Sequence, residues 1–439
     1  MRHRVRSSLG VLAAACVAAA VAGCGSAPAA RTAVDAAIVR GVATTEPAAD
    51  PRPLATADTG FGLDVMRAWC AQNPGQNLVF SPSTLASALG LAYLGARGAT
   101  ASAMARVLDL PAGTSRAALE AELQARMKVL GRLDGPGVTL AASDQVWADP
   151  TLTTLRSYLD AVATGYDAGV AQAPFSTDPA KAADEINQAI SAATRGHITQ
   201  LVSADMVTDV GWVLTSALYL DAKWATPFAP ARTAPAPFTT ASAKRVTATF
   251  MNGDDLPYAA ADGWQAVSLP YQGGQLTMTA LLPPTGSASC ALPSPASLTA
   301  IASSLDGSGA GAGSGAGAGL SDVSLPKVNL DTSGQAGDMK PVLERLGMGL
   351  AFGGMGTDFT ALSPQAGGIG FVQQAATLQV GEKGTVGAAA AAVGITATDG
   401  MVPQRAVNVT FNRPYLLLIT AKATGEPLFL ARVDNPAAG

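Results

Sequence analysis

EKGTVGAAAAAVG, from Glu382 to Gly394, is the stretch on which the reading of this 439-residue chain turns. Ala and Gly bury little apolar surface, so the run makes a poor core. It also makes an odd linker, because apolar segments that read as buried strands flank it. YLLLIT and LFLARV follow it, and GWVLTSALYL, QAVSLPY and LTMTALLP come earlier in the chain, each bounded by turn residues. Helical patterns dominate the first half. FGLDVMRAWCAQ is amphipathic and ends at a turn over Asn73–Gly75. SPSTLASALGLAYLGA reads as a mostly buried helix capped by Ser81, with Pro82 at its first position. Helices first, then many strands with helices among them, predict an α+β fold, not a doubly wound parallel sheet. The run GSGAGAGSGAGAG before Leu320 has no hydrophobic pattern and reads as a surface loop.

Hydrophobic residues make up 48% of the chain and charged residues 14%, with a formal net charge of −4. No basic stripe is present, so nucleic acid is not an expected partner. Arg2, Arg4 and Arg6 precede the short apolar run LGVLAAACVAAAVAG, the arrangement of a secretory signal. The run is too short to span a membrane stably. It ends in VAGC, which resembles the lipobox of bacterial lipoproteins, in which the cysteine becomes the lipid-carrying N-terminus. This predicts a signal peptide over 1–23, lipidation at Cys24 and an extracytoplasmic protein held to the membrane. Cleavage there removes three arginines and no acid, taking the formal charge from −4 to −7. Residues 24–58, rich in Ala, Thr, Pro and Asp, read as a flexible tether, and 59–439 as the folded domain. Cys70 and Cys290 then remain as a possible disulfide in an oxidising compartment, although their spacing does not show that they meet.

The chemistry of most enzymes is missing. The chain has two histidines, His3 within the signal and His197 in ATRGHITQLV. No G-x-S-x-G nucleophile elbow and no phosphate-cradling G-x-x-x-x-G-K-[ST] occurs. Metal sites need His, Cys or acid clusters at fixed spacing, and Asp254–Asp255 lacks the spacing of a calcium loop. The expectation is a protein that is not an enzyme and uses no metal or cofactor.

Four separated stretches, taken in order, resemble one family, the serpins. NLVFSPSTLASALGLAYLGARGAT resembles the segment opening the second serpin helix. LTSALYLDAKWATPF resembles the strand and turn usually written Asn-Ala-x-Tyr-Phe-Lys-Gly-x-Trp. EKGTVGAAAAA resembles the serpin hinge, and FNRPYLLLITAKATGEPLFLARVDNP the C-terminal strand pair. LPYQGGQLTMTALLP, LPKVNLD, LGMGLAF and DFTAL add weaker support. The resemblance covers roughly residues 60–436. It implies three sheets, eight or nine helices and an exposed reactive-centre loop over about 382–405. In such proteins the loop is bait for a serine protease and inserts as a strand into the central sheet after cleavage. The implied function is irreversible inhibition of extracellular serine proteases by a monomer. The alternative is a serpin-fold protein that binds or builds without inhibiting.

On that model the hinge is Glu382, Lys383, Gly384, Thr385, Val386, Gly387, Ala388, Ala389 and Ala390. An inserting strand alternates between core and outer face. With Thr385 as the first inward residue, the inward set is Thr385, Gly387, Ala389, Ala391, Val393 and Ile395. The outward set, Val386 through Thr396, is uncharged and is expected to face solvent. No Pro blocks entry between Thr385 and Thr398. Val386 and Gly387 stand where inhibitory hinges usually carry Glu and Ala, and Gly387 costs about 0.5–1 kcal/mol in strand order. In the sheet-opening region, beside Ser81, Ser216 stands where the family often has Asn, and Gln374 where it often has His. Hydroxyl and amide offer donors and acceptors for a Ser216–Gln374 bond. Counting from Glu382 as the family does places the reactive bond at Thr398–Asp399. The length of the loop also admits Gly400–Met401 or Met401–Val402. Thr or Met before the bond suits chymotrypsin-, elastase- or subtilisin-like proteases, and Arg405, which would suit trypsin-like enzymes, lies too far along.

Overall fold

The computed structural model describes residues 37–208, 210–307, 319–331, 337–385 and 407–438. Strand β1 (Ile38–Val39) leads into helix α1 (Arg52–Gln72), strand β2 (Leu78–Phe80) and helices α2 (Pro82–Gly95), α3 (Gly98–Val107) and α4 (Arg116–Leu130). Strand β3 (Val138–Ala148), helix α5 (Arg156–Tyr166), strand β4 (Val170–Gln172), helix α6 (Pro179–Ala193) and strand β5 (Trp212–Lys223) follow. Next come β6 (Ala234–Thr239), β7 (Arg245–Ala261), β8 (Trp264–Pro270), β9 (Leu276–Leu282) and helix α7 (Pro295–Gly307). Strands β10 (Gly319–Pro326), β11 (Val328–Asp331) and β12 (Gly337–Asp338) and the short helix α8 (Lys340–Leu343) precede β13 (Val372–Gly381) and the two-residue β14 (Gly384–Thr385). The remaining strands are β15 (Val407–Thr410), β16 (Tyr415–Ala421) and β17 (Glu426–Val433).

Eight strands form one sheet in the order β1-β4-β3-β5-β14-β13-β11, with β12 also on β13. A nine-stranded ladder runs β15-β10-β7-β8-β9-β16-β17-β2, with β6 on β7. Long β7 divides that ladder. Its first residues pair with β6 and its middle with β10, whereas its last, Tyr258–Ala261, pair with β8. The result is three sheets and, among the described residues, eight α-helices, the α+β architecture expected. Edge strand β6 carries Pro235 and Pro237, which withhold donors where another chain would otherwise pair.

Helix α2 is the axis of the core, with Leu85, Ala88, Leu89, Leu91 and Ala92 all at most 1% exposed. Ser81 caps it by accepting from the Thr84 amide at 3.2 Å, and Pro82 occupies the first position, where no N–H is needed. α6 lies on the other face of the central sheet. Its Ala182, Ala183, Ile186 and Ile190 pack with Val213 and Ala217 of β5 and Ala375 of β13. The outer face of this sheet is therefore covered at that height, not open to solvent as expected, because α6 also has an apolar side to bury.

The boundary expected between tether and domain at 58/59 falls inside α1. The helix starts at Arg52, and Leu54, Ala55, Ala57 and Asp58 are already buried. β1 pairs with β4 still earlier. Small residues and Gly60 blur the helical period there, so only packing reveals the start. Cys70, at the end of α1, forms a disulfide with Cys290 in the loop between β9 and α7, with Cα atoms 5.9 Å apart. Among the described residues no helix is long and apolar enough to cross a membrane.

Candidate functional site: the fork in the central sheet

Strands β5 and β13 run parallel and pair directly from Leu214–Val372 to Leu218–Ala376. Four residues further on, the same register would bring Ala222 against Val380. It does not. Thr385 of β14 stands between them, paired antiparallel with Ala222 on one side and Val380 on the other. Gly384 likewise lies between Lys223 and Gly381. The ladder thus forks without a register shift, and the first hinge residues occupy the place of an extra strand.

Local chemistry holds the fork open at its top. Gly384 is required because a Cβ there would collide with the Ala222 carbonyl. Thr385 is fully buried, and its hydroxyl bonds that of Tyr271. Tyr271 stacks on Trp224 at 4.5 Å between ring centroids. The Trp224 indole donates to the Gly381 carbonyl at 2.9 Å, and its amide to the Lys383 carbonyl at 2.9 Å. The Phe228 amide donates to the Glu382 carbonyl at 2.8 Å. The Glu382 carboxylate pairs with Lys327 at 3.0 Å. Burial pushes that carboxyl up, but hydrogen bonds from its own backbone and from Lys327 outweigh it, and Glu382 titrates below the usual range. The pair is partly solvated, so it orients the hinge more than it stabilises the fold.

Lower in the sheet the ladder is closed. Ser216 and Gln374 are register partners, yet they do not bond each other. The Gln374 amide donates instead to the Ser81 carbonyl at 2.9 Å and to the Thr84 hydroxyl at 3.1 Å, at the N-terminus of α2. Its Oε1 is buried without a partner, and the Ser216 hydroxyl faces Asp144 of β3. The amide reaches past the sheet because a Gln side chain is long enough to find the first turn of the buried helix.

Of the hinge residues expected, Glu382, Lys383, Gly384 and Thr385 meet in this fork. Val386, Gly387, Ala388, Ala389 and Ala390, the bond Thr398–Asp399 and Cys24 lie outside the described residues. Sequence reading missed Trp224, Tyr271, Phe228 and Lys327 as parts of the site. All four lie in segments whose family resemblance was noted, LTSALYLDAKWATPF, LPYQGGQLTMTALLP and LPKVNLD, and that resemblance was the signal that could have marked them. Among the described residues no group of three or more His, Cys, Asp or Glu is placed to hold a metal.

A family model described as serpin (serine protease inhibitor) matches residues 56–436. An uncharacterised serpin-like protein of Thermococcus kodakarensis is 29% identical over 390 residues, covering 88% of this chain and 87% of its own. Among solved structures, the native state of the thermophilic serpin tengpin superposes with a TM-score of 0.73 at 22% identity, covering 92% of this chain and all of that one. Human thyroxine-binding globulin bound to its hormone also scores 0.73, at 23% identity, covering 88% of this chain and all of that one.

Proposed function

The chain belongs to the serpin family, and we propose that it is an irreversible, suicide-substrate inhibitor of an extracytoplasmic serine protease. The observation that carries this reading is Thr385, already seated between Ala222 and Val380 where an entering strand would begin. Continuing the same antiparallel register sets Gly387 between Leu220 and Leu378, Ala389 between Leu218 and Ala376, and Ala391 between Ser216 and Gln374. Each side chain aimed at the core is small, so the β5–β13 ladder has little to clear. The outer residue Ala390 is small as well, which suits the part of the face that α6 covers beside Ala217 and Ala375.

The target's catalytic serine attacks the carbonyl before the reactive bond, Thr398–Asp399 in our assignment, and forms an ester. The freed strand then enters the fork and carries the acylated protease with it before water completes hydrolysis. The stored free energy is the unfilled central sheet, and this chain contributes strain and bait, not catalytic groups. The test is to mix the protein with subtilisin-, chymotrypsin- and elastase-like proteases and run denaturing gels. We expect a covalent band at the summed mass and a released peptide beginning at Asp399. Cleavage with neither the band nor a rise in melting temperature supports the second reading, a non-inhibitory serpin. Val386 and Gly387 favour that reading, as does the fold's likeness to a hormone-binding globulin.

We further propose that Cys24 carries lipid and holds the domain outside the cytoplasm as a membrane-anchored monomer. The sequence order of arginines, apolar run, small residues and cysteine supports it. Cys24→Ala should move the protein out of the membrane fraction; retention there would refute the anchor.

A further inference from the structure

Behind the row that carries Ser216 and Gln374 lies a cluster of charge around the buried Arg126, apart from Glu382–Thr385 of the fork. Arg126 of α4 is 3% exposed. Its Nη1 donates to Asp58 Oδ2 of α1 at 2.9 Å, and its Nε stands 3.6 Å from Glu426 Oε1 of β17. Its Nη2 donates to the Ser83 carbonyl at 3.1 Å and to the Ser87 hydroxyl, both on α2. Asp144 of β3, half-buried as a residue, enters from the sheet with the Ser216 and Ser87 hydroxyls near its carboxyl and its Oδ1 shut off from solvent without a hydrogen-bond partner. Tyr166 of α5 completes the surround. The charged and titratable groups about Asp144 are therefore Arg126, Asp58, Glu426 and Tyr166.

One guanidinium balances one carboxylate. With all three acids ionised, two negative charges would stand uncompensated in the interior, which is strongly unfavourable. The cluster therefore holds protons. Burial pushes the Asp144 carboxyl up to about 7, against the opposing pull of Ser216, Arg126 and Ser87. Burial also raises Asp58, which lies beside Glu426.

Topology separates Asp144 from the rest. β3 pairs with β5 along its full length, from Val138–Ala222 to Ala148–Trp212, and Asp144 is the register partner of Ser216. Admitting a strand between β5 and β13 requires them to part by one strand spacing, about 4.8 Å. β3, paired with β5 along its whole length, travels with it when β5 is the strand that shifts. Arg126, Asp58, Glu426 and Tyr166 sit on helices and on the other sheet. Asp144 is thus the one acid of the cluster carried by a strand that moves.

We propose that Asp144 is a proton-controlled catch on sheet opening: protonated, it stays docked beside Arg126 and keeps the β5–β13 ladder closed; ionised, it favours the displaced position of β3 and speeds strand entry. This rests on the loop-insertion reading above. A group whose carboxyl is raised in the closed state and returns toward its ordinary value on leaving the cluster releases a proton as the sheet opens. Opening is therefore held back at low pH, becomes easier as pH rises through the window between about 4 and 7, and levels off above it.

The experiment is uptake of a synthetic peptide with the sequence of residues 387–395, which begins below the slot that Thr385 fills, by the full-length protein with its loop intact, followed between pH 5 and 8. The uptake rate should rise by up to about tenfold per pH unit below 7, the limit for one proton. Asp144→Asn, a neutral isostere of the protonated acid, should give a slow and flat profile. His197, the one histidine among the described residues, stacks on Tyr219 of β5 at 3.7 Å beside the opening. His197→Gln should therefore keep the slope. A second readout is the infrared difference between pH 5.5 and pH 8, in which the wild type should lose a protonated-carboxyl band that Asp144→Asn does not lose, the contribution of Asp58 being common to both. Uptake at one rate across all pH, an unchanged slope in Asp144→Asn, or no such band overturns the catch while leaving loop insertion standing. No uptake at any pH overturns the loop-insertion reading and the catch with it.

Discussion

Ala389→Arg should abolish protease trapping while leaving the loop cleavable. In the register continued from Thr385, residue 389 faces the core between Leu218 and Ala376, both at most 1% exposed. An arginine there would have to bring a guanidinium into the core between Leu218 and Ala376, with Leu220 and Leu378 on one side and only the uncharged Ser216–Gln374 row on the other. Such burial costs on the order of several kcal/mol. Because about 1.4 kcal/mol is a factor of ten in rate, strand entry slows by at least about tenfold and hydrolysis of the acyl-enzyme wins. Denaturing gels should show cleaved inhibitor and free, active protease in place of the covalent band. Ala388→Arg is the informative neighbour. It faces the other side, between Tyr219 and Thr377, where the exposed His197 stacks, and it should be the milder of the two. Equal covalent yield from Ala389→Arg and the wild type would show that the register stops at Thr385.

Removing the disulfide should have the largest effect on stability. Cys70 and Cys290 are 220 residues apart in sequence, so their bond closes a very long loop in the unfolded chain. Loop-closure entropy makes such a cross-link worth about 3–5 kcal/mol. The double variant Cys70→Ser/Cys290→Ser should therefore unfold at a lower denaturant midpoint, with melting lowered by several degrees. Neither cysteine lies on a strand of the central sheet, since one ends α1 and the other precedes α7. The variant should still form the covalent protease complex. An unchanged denaturant midpoint would show that the unfolded chain gains little freedom when the bond is absent.

Much of this molecule is written locally. The apolar alternation of Trp212–Lys223, Trp264–Pro270, Leu276–Leu282, Tyr415–Ala421 and Glu426–Val433 identifies strands, because a pleat repeats every two residues. Ser81 and Pro82 announce the start of α2, since a cap needs only its own first turn. The motif order identifies the family. Even the parity of Thr385 can be read without coordinates, because one face of a strand must suit the core.

Alternation gives the face of a strand and not its partner. Only the tertiary structure decides that Thr385 meets Tyr271, 114 residues away, and that Lys327 meets Glu382, 55 residues away. It decides that α1 begins at Arg52, because Leu54 and Ala55 need a core to bury against before their period means anything. It decides that Gln374 turns from Ser216 to the N-terminus of α2, a choice set by side-chain reach across the sheet. It also gathers Asp58, Arg126, Asp144 and Glu426, from four elements, around one guanidinium. Each of these depends on contacts between segments far apart in the chain, where pattern fixes which residues are buried but only packing fixes which of them touch.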